Sequence, residues 1–372
     1  MKYFIIAGEA SGDMHGANLM EQIKVQDPQA KFQFLGGDLM KSIGGDPVVH
    51  YKDMAFMGFI NVILNLHKVL RNLKHTKSAL TTFKPDVVIL IDYPSFNLRI
   101  AKFVKETLAQ TKVYYYISPK IWAWKSYRIK SIKKYIDKMY TIFPFETEFY
   151  QQFNYEVDYV GNPTVDSIDL FRTEERTHPD RKLKVEENTI ALLAGSRLQE
   201  NKACLPKLLK VAQNFPAYHF VIAGAPGVDQ ATYETLTQGK YPIVYQETYS
   251  LVNQSVAAIV NSGTATLETA LLRTPQVVIY HIAGGALVNW IKDYVLHIKY
   301  ASLVNILANK SLVKELVAKD FTIKKVSKEL ENILHKPRHK TMILRGYDDI
   351  IRKLGEPGTA RHAAEHIVKS LS

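Results

Sequence analysis

Residues 2–13 have the sequence KYFIIAGEASGD, and residues 189–200 have the sequence TIALLAGSRLQE. In both stretches a continuous apolar run leads into a glycine-bearing turn and then into a helical spacing of apolar side chains. Such runs predict strands covered on both faces, as in a parallel sheet, at Lys2–Ala7 and Thr189–Leu193. The recurrence predicts two successive domains of one architecture, each opening with strand, glycine turn and helix.

Further strand-like runs alternate with helical stretches along the chain. They are predicted at Phe32–Leu35, Val87–Asp92, Val113–Ser118 and Met139–Phe143, and then at His219–Ala223, Ile243–Tyr245, Ala257–Asn261 and Gln276–Tyr280. This alternation is typical of open, doubly wound, mostly parallel α/β sheets. We therefore expect one domain in residues 1–165 and a second in residues 166–340, with Thr173–Lys182 as a polar surface linker.

The composition indicates a folded protein of a reducing compartment. With 372 residues, 47% of them hydrophobic and 23% charged, wholesale disorder is excluded. The single cysteine, Cys204, excludes an internal disulfide and a Cys-x-x-Cys site. The first apolar run is too short for an export signal, so we expect a cytoplasmic protein. The net charge of +12 indicates an anionic partner, which could be nucleic acid, a membrane face or a phosphorylated small molecule.

The first domain carries polar residues at the ends of predicted strands. The turn Gly8–Asp13 enters a helix, where its amides are suited to hold an anion, although it could also be a plain tight turn. Asp92 ends a buried strand, a position that suits a general base and equally suits a cap for the helix near Pro94. Ser118 and Trp122 follow the next strand, where a wall for a sugar or an acyl chain competes with ordinary packing.

Two turns of the second domain are predicted to hold a diphosphate. Gly195-Ser196-Arg197 follows one strand and adds an arginine, which can bind phosphate through two N–H groups. Ser262-Gly263-Thr264 follows another strand and opens a helix with amide donors. Glu268 lies one helical turn further, where it could accept ribose hydroxyls or simply favour the helix start. No Asp-x-Asp or His-Glu-x-x-His occurs, so no metal site is predicted.

Residues 54–73 predict an amphipathic helix with a cationic side. Apolar side chains recur at helical spacing, and Lys68 and Arg71 occupy other faces. The simpler interpretation is a helix that faces the core, but the apolar residues just before it leave a membrane or acyl-chain contact open. The candidate membrane-contacting residues are Phe56, Met57, Phe59, Ile63 and Leu66.

In their order along the chain, these motifs resemble the lipid-A-disaccharide synthase family. The matching stretches, between about residues 3 and 320, are Ala7–Asp13, Met57-Gly58, Lys84–Asp86, Ile91–Pro94, Ser118-Pro119, Trp122–Trp124, Phe143–Glu146, Gly195–Arg197, Ser262–Thr264, Leu267-Glu268, Ala301–Asn305 and Leu312–Leu316. The resemblance implies a GT-B glycosyltransferase with two facing Rossmann-like domains and a central cleft. It also implies a helical tail over residues 341–372 that packs back on the N-terminal domain or is swapped in a dimer.

The family's reaction condenses UDP-2,3-diacylglucosamine with 2,3-diacylglucosamine 1-phosphate to the β(1→6) lipid A disaccharide and releases UDP. The resemblance therefore implies an inverting transferase that needs no cofactor and is held peripherally at the anionic inner-membrane surface of a Gram-negative bacterium. Nearby cations would each contribute about 1 kcal/mol to that attachment.

The resemblance also assigns residue roles. Asp92 is the general base for the acceptor 6-hydroxyl. UDP binding is assigned to Gly195, Ser196, Arg197, Ser262, Gly263, Thr264 and Glu268, and substrate binding to Gly8, Glu9, Ser11, Gly12, Asp13, Asn97, Ser118 and Trp122. The chain departs from the family pattern at three positions, which are Ala194 for a common Pro, Ser95 for a common Asp, and Asn162 for the usual His. Ser95 leaves Asp92 as the one candidate base of that motif.

Two alternatives stay open at this point. One is another GT-B enzyme that acts on UDP-sugars, such as a lipid-linked N-acetylglucosaminyltransferase or a UDP-sugar epimerase. The other is a basic nucleic-acid-binding protein, which is disfavoured because no recognised RNA or DNA motif accompanies the positive charge. The sequence sets neither the acyl-chain length nor the oligomeric state, and a homodimer is left open.

Overall fold

The computed structural model describes residues 1–54, 66–123, 125–181, 183–281 and 299–371. The predicted membrane-contacting residues Phe56, Met57, Phe59 and Ile63 lie outside the described residues, as does the side chain of Leu66. The chain divides into two compact units, one of residues 1–163 and 356–372 and the other of residues 164–355.

The first unit contains one parallel sheet of seven strands in the order β3-β2-β1-β4-β5-β6-β7. The strands are β1 (Lys2–Ala7), β2 (Lys31–Gly36), β3 (Asp46–His50), β4 (Val87–Ile91), β5 (Lys112–Tyr116), β6 (Lys138–Thr141) and β7 (Asp158–Tyr159). The described helices are α1 (Ala10–Gln26), α2 (Asp38–Ile43), α3 (Leu66–Phe83), α4 (Pro94–Thr107), α5 (Ile129–Tyr135) and α6 (Pro144–Gln151).

The second unit contains a parallel sheet of six strands in the order β10-β9-β8-β11-β12-β13. The strands are β8 (Thr189–Leu193), β9 (His219–Gly224), β10 (Ile243–Tyr245), β11 (Ala257–Asn261), β12 (Gln276–Tyr280) and β13 (Glu315–Val317). Its described helices are α7 (Pro163–Thr177), α8 (Leu198–Ala212), α9 (Gln230–Thr237), α10 (Thr248–Gln254), α11 (Thr264–Leu271), α12 (Leu303–Ala308), α13 (Ile323–His335) and α14 (Pro337–Leu354).

Strand β1 shows why these apolar runs form doubly covered strands. Its Tyr3 and Ile5 belong to one buried cluster, which also contains residues of α1, whereas Phe4 and Ile6 belong to a second cluster with residues of α3 and α4. Alternate side chains therefore fill two separate layers, and neither face of the strand meets water. The α/β class predicted from the sequence, with two doubly wound parallel sheets, is confirmed.

The C-terminal helices differ from the expected tail of residues 341–372. Helix α14 belongs to the second unit, because Ile343, Tyr347 and Ile350 on one of its faces are fully buried there. Gly355, with a φ of 75°, ends that helix. Only the last helix, α15 (Thr359–Leu371), packs on α1 of the first unit, so the crossing occurs later than the sequence suggested.

The expected surface linker at Thr173–Lys182 is wrong in its first half. Helix α7 continues to Thr177, and Arg172 on it donates to the carbonyl of Leu271 at 2.8 Å. This part of the helix is not predictable from the sequence because residues 173–177 are polar or charged and mostly exposed, so they show no apolar period.

Candidate active site

The strand order of each sheet reverses at one place. In the first unit this place lies between β1 and β4, and in the second it lies between β8 and β11. Open α/β sheets bind ligands beyond the carboxyl ends of the strands at such a switch point. The residues singled out from the sequence follow these same four strands, with Glu9 and Asp92 in the first unit and the turns at Gly195 and Ser262 in the second.

Asp92 sits on an unusual backbone. Asp92 and Tyr93 have φ angles of 40° and 45°, in the left-handed region that non-glycine residues rarely adopt. The carbonyl of Asp92 accepts hydrogen bonds from the hydroxyl of Tyr115 and from Nδ2 of Asn97, the latter at 2.7 Å. Tyr93 is the N-cap of α4, and no side chain caps that helix. The cap interpretation of Asp92 is therefore wrong, and the conformation instead presents its carboxylate beyond the strand end.

The electrostatic surroundings of Asp92 are mixed. Burial raises the pKa of its carboxyl, the nearby Lys120 lowers that pKa, the carboxylate of Glu9 raises it and Arg128 lowers it. Burial is the largest of these causes, and the pKa is raised as a result. A raised pKa makes the carboxylate a stronger base for a hydroxyl proton.

The turn after β1 lies directly against this position. A Cβ at Gly8 would fall 2.4 Å from the ring of Tyr93, so only glycine lets the two turns approach. Ser11 donates its hydroxyl to Glu9 at 2.8 Å, and both residues are at least partly exposed. A Cβ at Gly12 would fall 3.2 Å from that of Ala7, which seats α1 close to the end of β1. Glu9 is thus placed beside Asp92 and Ser11 is bonded to Glu9, and the contact of both residues with a substrate stays a prediction.

Asp13 and Asn97 have partners within the protein. The carboxylate of Asp13 is buried and accepts from the amides of Gly37, Leu39 and Met40 at 2.7, 3.1 and 3.1 Å, which fixes the start of α2. Asn97 is fully buried and donates to the carbonyls of Ile91 and Asp92. These contacts account for both residues as supports of the turns, so direct substrate contact remains a prediction for them.

Ser118 and Trp122 are held by helix α6. The hydroxyls of Ser118 and Tyr150 lie 2.8 Å apart, and the indole of Trp122 donates to Glu146 at 3.2 Å. Glu146 also accepts from the amides of Ile142 and Phe143, and burial raises its pKa to about 7. The sequence by itself predicts no separate role for Glu146. The available signal was its position as the third residue of a helix that begins with proline, where a glutamate completes a capping box.

In the second unit, the turn after β8 already holds a carboxylate. Oε2 of Glu200 accepts from the amides of Ser196 and Arg197 at 3.0 and 3.3 Å. The expectation that these amides cradle an anion is therefore not met, because a residue of the same helix occupies them. The side chain of Arg197 is 70% exposed, and its only ion pair in the described part of the chain is a long one, 3.9 Å to Glu200. Its guanidinium is the group of this turn that can reach a phosphate.

The turn after β11 is open. Gly263 and Thr264 are exposed, and a Cβ at Gly263 would meet nothing within 4 Å. Thr264 begins the eight-residue helix α11, whose first amides have no partner within the helix. The hydroxyl of Ser262 donates to the carbonyl of Ala301 at 2.9 Å, which ties the turn to the segment before α12. This turn retains the donor-rich geometry that the sequence predicted for a diphosphate.

Glu315 anchors that supporting segment. Its carboxylate accepts from the amides of Ala301 and Ser302, from the hydroxyl of Ser302 and from Nδ2 of Asn305, at 2.8, 2.9, 2.6 and 2.8 Å. Asn305 in turn accepts from the amides of Leu312 and Val313. The two motifs around residues 301–305 and 312–316 are therefore one hydrogen-bonded network behind Ser262.

Glu268 lies one turn into α11. Burial raises the pKa of its carboxyl, and the hydroxyl of Tyr249 donates to its Oε1 at 3.1 Å. The Tyr249 ring is held edge-on by Phe171, with centroids 5.6 Å apart. The second carboxylate oxygen remains able to accept a hydrogen bond, which is what binding of a ribose hydroxyl requires.

The described residues contain no group of three or more His, Cys, Asp or Glu side chains that could hold a metal ion. No helix within the same ranges combines the length and the apolar character needed to cross a membrane.

Comparison with known proteins identifies close relatives. Residues 3–367 match the family model described as lipid-A-disaccharide synthetase. The chain is 32% identical to the lipid-A-disaccharide synthase of Myxococcus xanthus, over 100% of the chain and 97% of that protein. It is 36% identical to the enzyme of the same description from Syntrophus aciditrophicus, over 97% and 95%.

Solved structures share the fold at low sequence identity. A UDP-GlcNAc 2-epimerase from Neisseria meningitidis bound to UDP-GlcNAc matches with a TM-score of 0.60 and 12% identity, over 100% of this chain and 99% of that one. The glycotransferase of kitacinnamycin matches with a TM-score of 0.63 and 11% identity, over 100% and 99%. At such identities the likeness concerns the architecture alone.

Proposed function

The chain belongs to the lipid-A-disaccharide synthase family, and we propose that it joins a UDP-linked 2,3-diacylglucosamine to a 2,3-diacylglucosamine 1-phosphate and releases UDP. The family is one of glycosyltransferases, and the GT-B type fold agrees with that class. The observation that carries the residue assignment is the half-buried strand-end position of Asp92, on a backbone that its neighbours hold in the left-handed region.

In the proposed reaction, the acceptor 6-hydroxyl attacks the anomeric carbon of the donor once, with inversion. A carbon–oxygen bond forms to the acceptor while the bond to the diphosphate breaks, and the hydroxyl proton passes to Asp92. The stronger basicity that burial gives this carboxyl favours the proton transfer. The leaving group is UDP, which takes the bonding electron pair as negative charge on its terminal phosphate.

The second unit supplies the groups that stabilise this charge. The exposed guanidinium of Arg197 can bind the diphosphate through two parallel hydrogen bonds. The first amides of α11, at Gly263 and Thr264, add donors from an open turn. Glu268, fixed by Tyr249, is placed to accept the ribose hydroxyls. UDP binding by this unit is thus supported by three groups on the strand-end side of one sheet.

We further propose that the protein binds an anionic membrane surface peripherally. The net charge of +12 supports this, as do the exposed or half-exposed cations around α5, which include Arg128, Lys130 and Lys133. Because surface charge is screened by salt, binding to vesicles rich in anionic lipid should weaken as salt rises from 0.05 to 0.5 M. Equal binding to neutral vesicles, or binding unaffected by salt, would contradict the proposal.

The decisive experiment incubates the purified chain with both glucosamine lipids and analyses the products by mass spectrometry. The proposal expects one disaccharide 1-phosphate and one UDP for each donor consumed. UDP release without a disaccharide would indicate hydrolysis, and an epimerised sugar would indicate an epimerase. Either outcome would overturn the proposed reaction.

A further inference from the structure

Glu146 is a buried carboxylate that the proposed reaction leaves unused. It lies in the first turn of α6, and the residue is 1% exposed. Its Oε2 accepts from the amides of Ile142 and Phe143 at 3.2 and 3.0 Å, which is the usual capping of a helix start. Its Oε1 accepts from the indole N–H of Trp122 at 3.2 Å. Capping alone uses one oxygen and needs no burial, so the second contact is what sets this residue apart.

Trp122 belongs to the segment that joins β5 to α5, of which residues 117–123 and 125–128 are described and together called the β5–α5 segment. This segment borders the proposed base, because Lys120 and Arg128 both act electrostatically on Asp92 and Arg128 donates to Ser95 at 2.9 Å. Most of its length is irregular, so its position depends on contacts with other elements.

Helix α6 supplies those contacts. The ring of Trp122 meets that of Phe145 edge-on, with centroids 5.0 Å apart, and its indole N–H is bonded to Glu146. At the start of the segment, the hydroxyls of Ser118 and Tyr150 lie 2.8 Å apart. The half-exposed Trp122 ring is therefore fixed in plane and in depth by two neighbouring residues of one helix.

We propose that Glu146 is a positioning residue for the sugar acceptor, because it fixes the Trp122 indole and with it the β5–α5 segment beside Asp92. This inference rests on the proposed function and on the predicted role of Trp122 in substrate binding. Glu146 does not touch the substrate and acts only through Trp122 and the segment.

The carboxylate is the chemical requirement at this position. Its two oxygens accept from two sides at once, from the helix-start amides and from the indole. A glutamine offers only one oxygen, so Glu146→Gln keeps either the cap or the indole bond and places an N–H against the other donor. Trp122→Phe removes the indole N–H and keeps an aromatic ring.

The test compares steady-state kinetics of Glu146→Gln, Trp122→Phe and the double variant with the wild type at pH 8, above the pKa of about 7 of Glu146, so that this carboxyl is ionised. Each single variant should raise KM for the acceptor about tenfold, the loss expected for a hydrogen bond to a charged group, and change the donor KM less than about twofold. The double variant should lose no more than the worse single variant, because both changes break one bond. Tyr155→Phe is the matched control, since it removes a hydroxyl that bonds the carbonyl of Ile136, outside the segment.

A second readout does not depend on catalysis. In the wild type, the indole N–H resonance of Trp122, assigned from its loss in Trp122→Phe, should shift in Glu146→Gln and stay unchanged in Tyr155→Phe. An unchanged acceptor KM in a folded Glu146→Gln variant, additive losses in the double variant, or an unmoved resonance would each overturn the positioning role. If Glu146→Gln does not fold, an unchanged acceptor KM in Trp122→Phe overturns it by itself. A wild type that makes no disaccharide while the resonance shifts as expected would count against the proposed function instead.

Discussion

The two switch points of this protein share one topology and carry opposite chemistry. In the first sheet, the adjacent strands β1 and β4 are followed by Glu9 and Asp92, two acids beside the half-exposed aromatic ring of Tyr93. In the second sheet, β8 and β11 run out into turns of small residues, with an exposed Arg197 on one and an open Gly263 on the other. The strand ends of the first sheet therefore carry groups that accept hydrogen bonds, and those of the second sheet carry groups that donate them.

The difference shows that the parallel sheet fixes the place of a site and the residues after each strand fix its chemistry. After β4, Tyr115 and Asn97 donate to the backbone carbonyl of Asp92, and neither of these bonds involves its carboxylate. After β8, the amides of the turn donate to Glu200, and the side chain of Arg197 is the group that can reach a ligand. In both turns the protein satisfies its own backbone and leaves one charged side chain for the ligand.

The largest effect is expected from removal of the proposed base at the strand ends of the first sheet. Asp92→Asn should lower kcat about a thousandfold, because the amide cannot take the acceptor proton. Its thermal unfolding should match the wild type, since Tyr115 and Asn97 bond the backbone carbonyl and not the carboxylate. A kcat within tenfold of the wild-type value would show that Asp92 is not the base.

The hydrogen-bond donors at the strand ends of the second sheet are tested by Arg197→Ala. Loss of one preorganised donor to a developing charge typically costs about 3–4 kcal/mol, so kcat/KM for the UDP-sugar should fall about 100- to 1000-fold. Arg197→Lys should recover only part of this loss, because an ammonium cannot form the two-bonded contact. Lys202→Ala, which removes an exposed cation from the same helix, is the matched control and should change kcat/KM less than about twofold. Equal losses in Arg197→Ala and Lys202→Ala would reduce the effect to general charge.

Glu146 gives the first unit a pH-dependent stability. Burial raises its pKa from 4.5 to about 7, so the folded protein keeps a proton that the unfolded chain releases. Its contribution therefore favours folding most at low pH and is lost as pH rises from 4.5 to 7, by up to about 3 kcal/mol. Denaturant unfolding at pH 5 and pH 8 should show this loss in the wild type and a smaller one in Glu146→Gln. The same pH dependence in both proteins would contradict the assignment.

The smallest effect is expected for Asp13, which lies in the first helix after β1, whereas Asp92 directly follows the adjacent strand β4. Asp13→Asn should lower the free energy of unfolding by about 2 kcal/mol, because the asparagine loses charge-assisted bonds to the amides that start α2. Its kcat should stay within about threefold of the wild-type value. A thousandfold loss of kcat without a change in stability would place Asp13 in the reaction and remove its distinction from Asp92.

Regular apolar patterns made much of the fold predictable. The predicted bounds Lys2–Ala7, Thr189–Leu193 and Ala257–Asn261 are those of β1, β8 and β11, because these strands are buried on both faces and their sequences are continuously apolar. The exposed helix α7 and the late crossing after Gly355 were not predictable in this way. Neither has a local apolar signal that distinguishes it from a loop or from a continuous tail.

The candidate site was predictable as a set of strand-end residues. Which of these residues bond within the protein and which are available to a ligand was not predictable. Glycine at positions 8 and 195 and acids at positions 9 and 92 are visible in the sequence at the ends of apolar runs. The engagement of Asp13 with α2 and of Glu146 with Trp122 is not visible there. Asp13 and Glu146 reach partners 24 residues away along the chain.

The alternation of strands and helices, the two-domain α/β class and the residues that follow each strand can be derived from local sequence, because burial and turn chemistry act over a few neighbouring residues. Which polar side chains are hydrogen-bonded within the protein, and which remain for a ligand, depends on how the elements pack. Hydrogen-bond partners are set by the packing of elements that are distant in sequence, and a carboxylate that finds amides nearby becomes part of the scaffold.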